Sequence, residues 1–206
     1  GGDWEYLCEI ANIERDSVSL RVLEGRQETR ELPVSITLYQ GLPKAEKMEL
    51  IVQKAVELGA AAIVPVEMHR SVVRLDEKKA AVKQKRWQAI AEAAAKQAGR
   101  SVIPEVSLPL SFKEALRRVE AEGTELRLLP YERAAGMAAT RDLIRSVKAG
   151  QRVAVMIGPE GGFEETEVEA AEAEGFHALT LGKRILRTET AGLVMLSLVM
   201  AETEED

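Results

Sequence analysis

The sequence predicts an α/β fold built on a mainly parallel sheet. Three observations carry this expectation. From Ser35 onward, short apolar runs alternate with longer segments whose apolar residues recur at helical spacing. Glycines stand just past three of those segments, at Gly59, Gly99 and Gly150, where a left-handed residue ends a helix. The chain has 206 residues, 46% hydrophobic and 30% charged, which allows one domain of ordinary size with a small appendage and excludes a disordered or fibrous chain.

The N-terminal part reads differently from the rest. Trp4–Ala11, Val18–Leu23 and Thr29–Leu32 are short, partly alternating runs that predict a three-stranded antiparallel fragment, too small to stand alone. It reads as part of a truncated N-terminal domain. A strand over Ile36–Gln40 follows. Met48, Ile51, Val52 and Ala55 then predict a helix, Ala61–Val66 a strand, and Lys78–Ala98 a long helix. Val102–Leu108 leads to Ser111, a good N-cap for a helix over Phe112–Glu122. Beyond it, Glu125–Leu129, Arg152–Ile157 and His177–Leu181 read as strands. Ala134–Lys148, Glu164–Glu174 and Thr188–Ala201 read as helices.

No apolar run reaches the ~18 residues of a membrane span, and Cys8 alone excludes a disulfide framework or a cysteine-built metal site. No metal is expected, and the expected compartment is the cytoplasm. The net charge of −6 disfavours nucleic acid as a partner, but its distribution does not. His69–Arg100 carries nine Lys or Arg against three acids, whereas Pro159–Leu181 carries seven Glu and neither Lys nor Arg. The basic stretch is either a surface that meets a polyanion or an ordinary solvated helix face.

Two loops concentrate the chemistry. Gly158-Pro159-Glu160-Gly161-Gly162-Phe163 follows a strand, and ligands of open α/β sheets sit at the carboxyl ends of strands. It matches neither the P-loop nor the dinucleotide fingerprint. The acids that follow disfavour a phosphate and suit a neutral or cationic ligand. The second loop, Gly182 to Ala191, carries Ile185-Leu186, suited to gripping a flat heteroaromatic such as adenine. Each is otherwise a plain strand-to-helix turn.

The stretches "MIGPEGGFEETEVEAAEAEGF" and "LGKRILRTETAGLVML" resemble the two C-terminal signatures of the SPOUT methyltransferases. Together with "KAEKMELIVQKAVELGAAAIVPV", "RSVVR" and "RWQAIAEAAAKQAGR" they resemble the RsmE family, the 16S ribosomal RNA uracil-N3 methyltransferases, from about Leu42 to Ala201. The resemblance implies a knotted (trefoil) methyltransferase fold over 34–206, a partial PUA-like β domain over 1–33, and a homodimer. It implies S-adenosyl-L-methionine as cofactor, held by Leu129, Pro130, Glu132, Ile157, Gly158, Gly161, Gly162, Leu181, Gly182, Ile185, Leu186, Thr190 and Ala191. The partner expected is small-subunit ribosomal RNA.

Transfer to uracil N3 needs a group that removes its proton or stabilises the resulting anion. Arg187 is assigned to the anion, and Glu189 accepts the proton or orients Arg187; the plainer alternative pairs them as a helix cap. Arg70, Arg74, Lys83, Arg86 and Arg100 are the expected RNA contacts. Trp87 is either a stacking platform or, more simply, a core anchor. A knot-fold RNA-binding or ribosome-assembly module without catalysis, and a tRNA methyltransferase of the same fold, stay open as alternatives.

Overall fold

The computed structural model describes residues 4–27, 30–134 and 136–204. Strands β1 (Trp4–Ile13) and β2 (Val18–Gln27) form a separate antiparallel hairpin, irregular between Leu7 and Cys8 and between Ile10 and Asn12. Tyr6, Leu7, Ile10, Leu20 and Val22 are all exposed, so neither face of the hairpin is packed. The expected third strand is not there: Arg30–Leu32 is irregular, and Thr29 lies outside the described residues. Leu32 packs instead against the main core, over Gly59.

The remaining strands are β3 (Ser35–Gly41), β4 (Ala62–Glu67), β5 (Glu105–Val106), β6 (Leu110–Ser111), β7 (Leu126–Pro130), β8 (Arg152–Ile157) and β9 (His177–Leu179). They build one parallel sheet in the order β5-β4-β3-β8-β7-β9, with β6 also paired to β4. Successive side chains of a strand face opposite sides, and both sides here are apolar. Ile36, Leu38, Val153, Val155 and Ile157 enter one core. Tyr39, Ala154 and Met156 enter the other.

Among the described residues six helices cover the two faces: α1 (Lys47–Glu57), α2 (Glu77–Ala98), α3 (Phe112–Ala121), α4 (Met137–Arg145), α5 (Glu165–Ala173) and α6 (Thr188–Thr203). Residues of α1, α2, α4 and α6 fill the first core, and those of α3 and α5 fill the second. Trp87 of α2 is buried in the first core, which makes it the anchor rather than a stacking platform. Asp76 caps α2 through the Lys79 N–H, and Gly99 ends it with φ 68°. Ser111 and Glu114 form a capping box on α3.

Helix α4 is shorter than its apolar pattern predicts. Tyr131–Ala134 closes a turn through the Ala134 N–H, and Gly136, with φ 94°, holds the chain out of the helix until Met137. Thr140 then donates to the Thr180 carbonyl, so α4 is tied to the chain leaving β9.

Candidate active site

The carboxyl ends of β7 and β8 open on a cleft of about 420 Å³. Its walls are Pro130 and Glu132, the run from Ile157 to Phe163, the run from Ile185 to Thr188, and Ala191 and Lys47. A recess of about 120 Å³, lined by Pro130–Glu132 and Thr180–Leu186, shares Pro130, Glu132, Ile185, Leu186 and Ala191 with it. Three loops that are distant in sequence thus enclose one site.

Glycine shapes the second loop. Gly162 has φ 68°, and a Cβ there would stand 3.4 Å from Glu132 Oε1, pointing across the cleft. The start of α6 is latched beneath. Gln40, fully buried at the end of β3, donates from Nε2 to Thr188 Oγ1 at 2.8 Å, and Thr188 donates on to the Gly158 carbonyl at 2.6 Å. This relay joins α6 to the ends of β3 and β8.

Lys47, at the first turn of α1, lines the cleft although the sequence did not single it out. Its Nζ forms ion pairs with Glu160 Oε1 at 3.1 Å and with Glu189 Oε2 at 3.3 Å. One ammonium therefore joins the GPEGG loop to α6. The bond to Glu160 holds the Lys47 ammonium above its ordinary pKa against the effect of burial, and Glu189 adds to it. Partial burial acts to raise the Glu160 carboxyl, but the Lys44 N–H, its own N–H and Lys47 outweigh it and hold it below the usual range. The only sequence signal was that Lys47 falls inside "KAEKMELIVQK", where a lysine opening a helix reads as ordinary surface.

Most of the expected pocket residues line the cleft or its recess: Pro130, Glu132, Ile157, Gly158, Gly161, Gly162, Leu181, Gly182, Ile185, Leu186 and Ala191. Two do not. Leu129 is fully buried in the second core, because its position on β7 turns it away from the cleft's face. Thr190 lies behind Arg187, its N–H closing on the Arg187 carbonyl. Arg187 is exposed and lines the cleft, with no hydrogen bond or ion pair to its side chain among the described residues. Glu189 is held by Lys47, so neither the Arg187–Glu189 cap nor an orienting role for Glu189 is formed.

The expected RNA contacts fare worse. The Arg100 side chain is only 4% exposed, donating to both oxygens of Glu31 and to the Val56 and Ala60 carbonyls at 2.9 and 2.7 Å. It is a buried structural cation and cannot meet RNA. Arg70 grips Glu164 with two bonds of 3.0 Å and donates to the Gly161 carbonyl, bracing the glycine loop. Arg86 pairs with Glu49 at 2.7 Å, and Arg74 lies 3.7 Å from Glu67. Lys83 is half-buried and has no ion pair among the described residues.

A glycine-walled cleft bordered by Glu132 and Glu160 and faced by Ile157, Ile185 and Leu186 suits a ligand that joins a cation to a flat ring. S-adenosylmethionine, a sulfonium carrying adenine, fits that donor set. The model for the RNA methyltransferase domain matches residues 30–200, which defines the class. The ribosomal RNA small subunit methyltransferase E of Bacillus subtilis is 40% identical over 204 residues, covering 98% of this chain and 79% of that protein. The chain belongs to this RsmE family of RNA methyltransferases. The corresponding enzyme of Neisseria gonorrhoeae, solved bound to S-adenosyl methionine, is 33% identical and superposes with a TM-score of 0.80 over 98% of this chain and 80% of that one. A Legionella pneumophila methyltransferase in complex with the same cofactor is 34% identical, with a TM-score of 0.80 over 97% of this chain and 79% of that one.

Proposed function

We propose that this chain uses S-adenosylmethionine to methylate N3 of a uridine in small-subunit ribosomal RNA. The observation that carries the reading is the acid-bordered, glycine-walled cleft at the carboxyl ends of β7 and β8, built by the two loops that hold the family signatures. When bound, S-adenosylmethionine supplies a sulfonium methyl, to which uracil N3 bonds as the sulfur–methyl bond breaks. The protein's own work is positioning and charge. Gly162 lets the backbone approach the ligand closely, Gly158 and Gly161 let the loop close against Phe163 and Arg70, and Ile157, Ile185 and Leu186 offer apolar walls. Arg187, unpaired at the cleft, stabilises negative charge on the uracil as N3 loses its proton. Glu189, fixed by Lys47, accepts that proton. A free cation aimed into an intact cleft also favours an enzyme over a binding module without catalysis.

The wider assignments have separate support. A trefoil knot accords with β9 lying beyond β7 while α6, the next element, packs on β3 and β8 and bonds to Gly158. A partial PUA-like β segment over 1–33, with the methyltransferase domain over 34–206, accords with a hairpin that forms its own sheet. A homodimer through α6 is supported by a groove of about 280 Å³ beside the partly exposed Leu198, with Met137 and Ile144 in its wall. No helix among the described residues is long and apolar enough to cross a membrane, and a ribosomal RNA substrate accords with the cytoplasm.

The test is calorimetric titration with S-adenosylmethionine, then methyl transfer to 16S ribosomal RNA and to bulk tRNA, with the modified base mapped by mass. N3-methyluridine in 16S RNA alone is the expected result. Binding without transfer to either RNA overturns the catalytic reading, and transfer only to tRNA overturns the substrate.

A further inference from the structure

We propose that Lys183 and Arg184 form a phosphate-binding rim at the mouth of the cleft, where a single-stranded RNA segment carrying the target nucleotide docks. This deepens the RNA-methylation reading and rests on it. The two side chains are exposed, and neither makes a hydrogen bond or ion pair among the described residues. They belong to the segment that lines the recess shared with the cleft, so a bound strand would lie beside the reacting position.

The charge pattern explains why the contact belongs at the rim. Inside and behind the cleft stand Glu132, Glu160 and Glu189 against two cations, Lys47, already taken by the last two, and Arg187, which the methylation reading reserves for the reacting base, so acids outnumber the cations there. That interior repels phosphate, while cations at the outer edge attract it. A backbone held outside with one base turned inward meets both conditions. Between the cations and the cleft stands Ile185, 86% exposed and lining both cleft and recess. Bare apolar surface beside free cations is what an unstacked base and its flanking phosphates require. By contrast, the arginines of 69–100 are held by carboxylates or buried. A phosphate there must displace a partner already in place.

The experiment measures RNA affinity against salt for the full chain and for a Lys183→Gln/Arg184→Gln double variant. The probes are a 16S ribosomal RNA transcript and oligouridylate. A Lys113→Gln/Arg117→Gln double variant on α3 controls for net charge, and S-adenosylmethionine affinity reports an intact cleft. Each lost phosphate contact lowers the slope of log affinity against log salt by about 0.7 for single strands. The double variant should therefore lose about 1.4 in slope and bind both RNAs roughly tenfold more weakly at moderate salt, with cofactor affinity unchanged. The control should match the parent. An unchanged slope overturns the rim, as does a slope that falls only in a Lys83→Gln/Lys85→Gln variant, or cofactor affinity that falls in step with RNA affinity. If the parent methylates no ribosomal RNA while the slope on oligouridylate still falls, the rim stands and the ribosomal substrate does not.

Discussion

The stretch 69–100 and the loop 182–187 are both rich in cations and use them in opposite ways. In the first, the arginines hold the fold together: Arg100 ties Glu31 to two carbonyls, Arg86 ties α2 to Glu49, and Arg70 ties the chain after β4 to Glu164. In the second, Lys183, Arg184 and Arg187 are exposed and unpaired among the described residues. The partners of the first group lie 69, 37 and 94 residues away in sequence, so a local count of charge cannot see them. The richer stretch turns out to be the structural one, and the shorter loop at the cleft keeps charge available for a ligand.

The largest effect should come from the first region. Arg100→Ala removes the buried fork that bonds Glu31 and the Val56 and Ala60 carbonyls, at a cost of about 3 kcal/mol. The midpoint of urea unfolding reads it directly. Arg100→Lys should recover little, because one ammonium cannot replace a planar fork serving four acceptors. A loss below about 1 kcal/mol would mean that Arg100 is not the structural cation described, and the contrast between the two regions would fail.

Arg187→Ala should behave oppositely. It should leave the unfolding midpoint and cofactor affinity close to the parental values while lowering turnover about a hundredfold, or ~3 kcal/mol in the barrier. Parental turnover would reduce Arg187 to a bystander at the helix start. Gly162→Val gives the complementary failure. A branched side chain at φ 68°, directed toward Glu132, closes the cleft, so calorimetry should detect no cofactor binding.

The fold was largely legible because its signals are local. The Arg152–Ile157 strand, the Ser111 cap and the Gly99 stop each depend on neighbours within a few residues, and each is found as expected. The third N-terminal strand failed because Leu32 is taken by the main core, a contact that no short window contains. The same holds in the site. Glycines and strand ends mark the cleft, since a loop after a strand can be read from the chain alone. Lys47, Gln40 and the pairing of Glu189 cannot be, because each is defined by a residue more than a hundred positions away.

Lys47 tests whether a paired cation can also serve the site. Lys47→Met removes the charge between Glu160 and Glu189 and should lower the unfolding midpoint only modestly. Turnover should fall about tenfold and cofactor affinity less, because Glu160 keeps the Lys44 N–H while Glu189 loses its restraint. Lys47→Arg should restore part of the rate. If Lys47→Met instead lowers cofactor affinity and leaves turnover alone, Lys47 belongs with the binding wall and not with the positioning of Glu189.

The smallest effect is a pH dependence at the Arg70–Glu164 pair. The two bonds from Arg70 hold the Glu164 carboxyl below its ordinary value, against a lesser effect of burial, with nearby His69 acting in the same direction as Arg70. A carboxyl with a depressed folded pKa contributes stability above its unfolded pKa of about 4.5 and loses it as pH falls through the folded value. The difference in melting temperature between the parent and Glu164→Gln should therefore be present at about pH 5 and above and shrink toward zero in more acid solution. High salt should shrink it too, because the pair is partly exposed and the screening length at 1 M is only about 3 Å. A difference that survives both acid and salt would show that Glu164 acts through packing, leaving Arg70 to brace the loop through the Gly161 carbonyl alone.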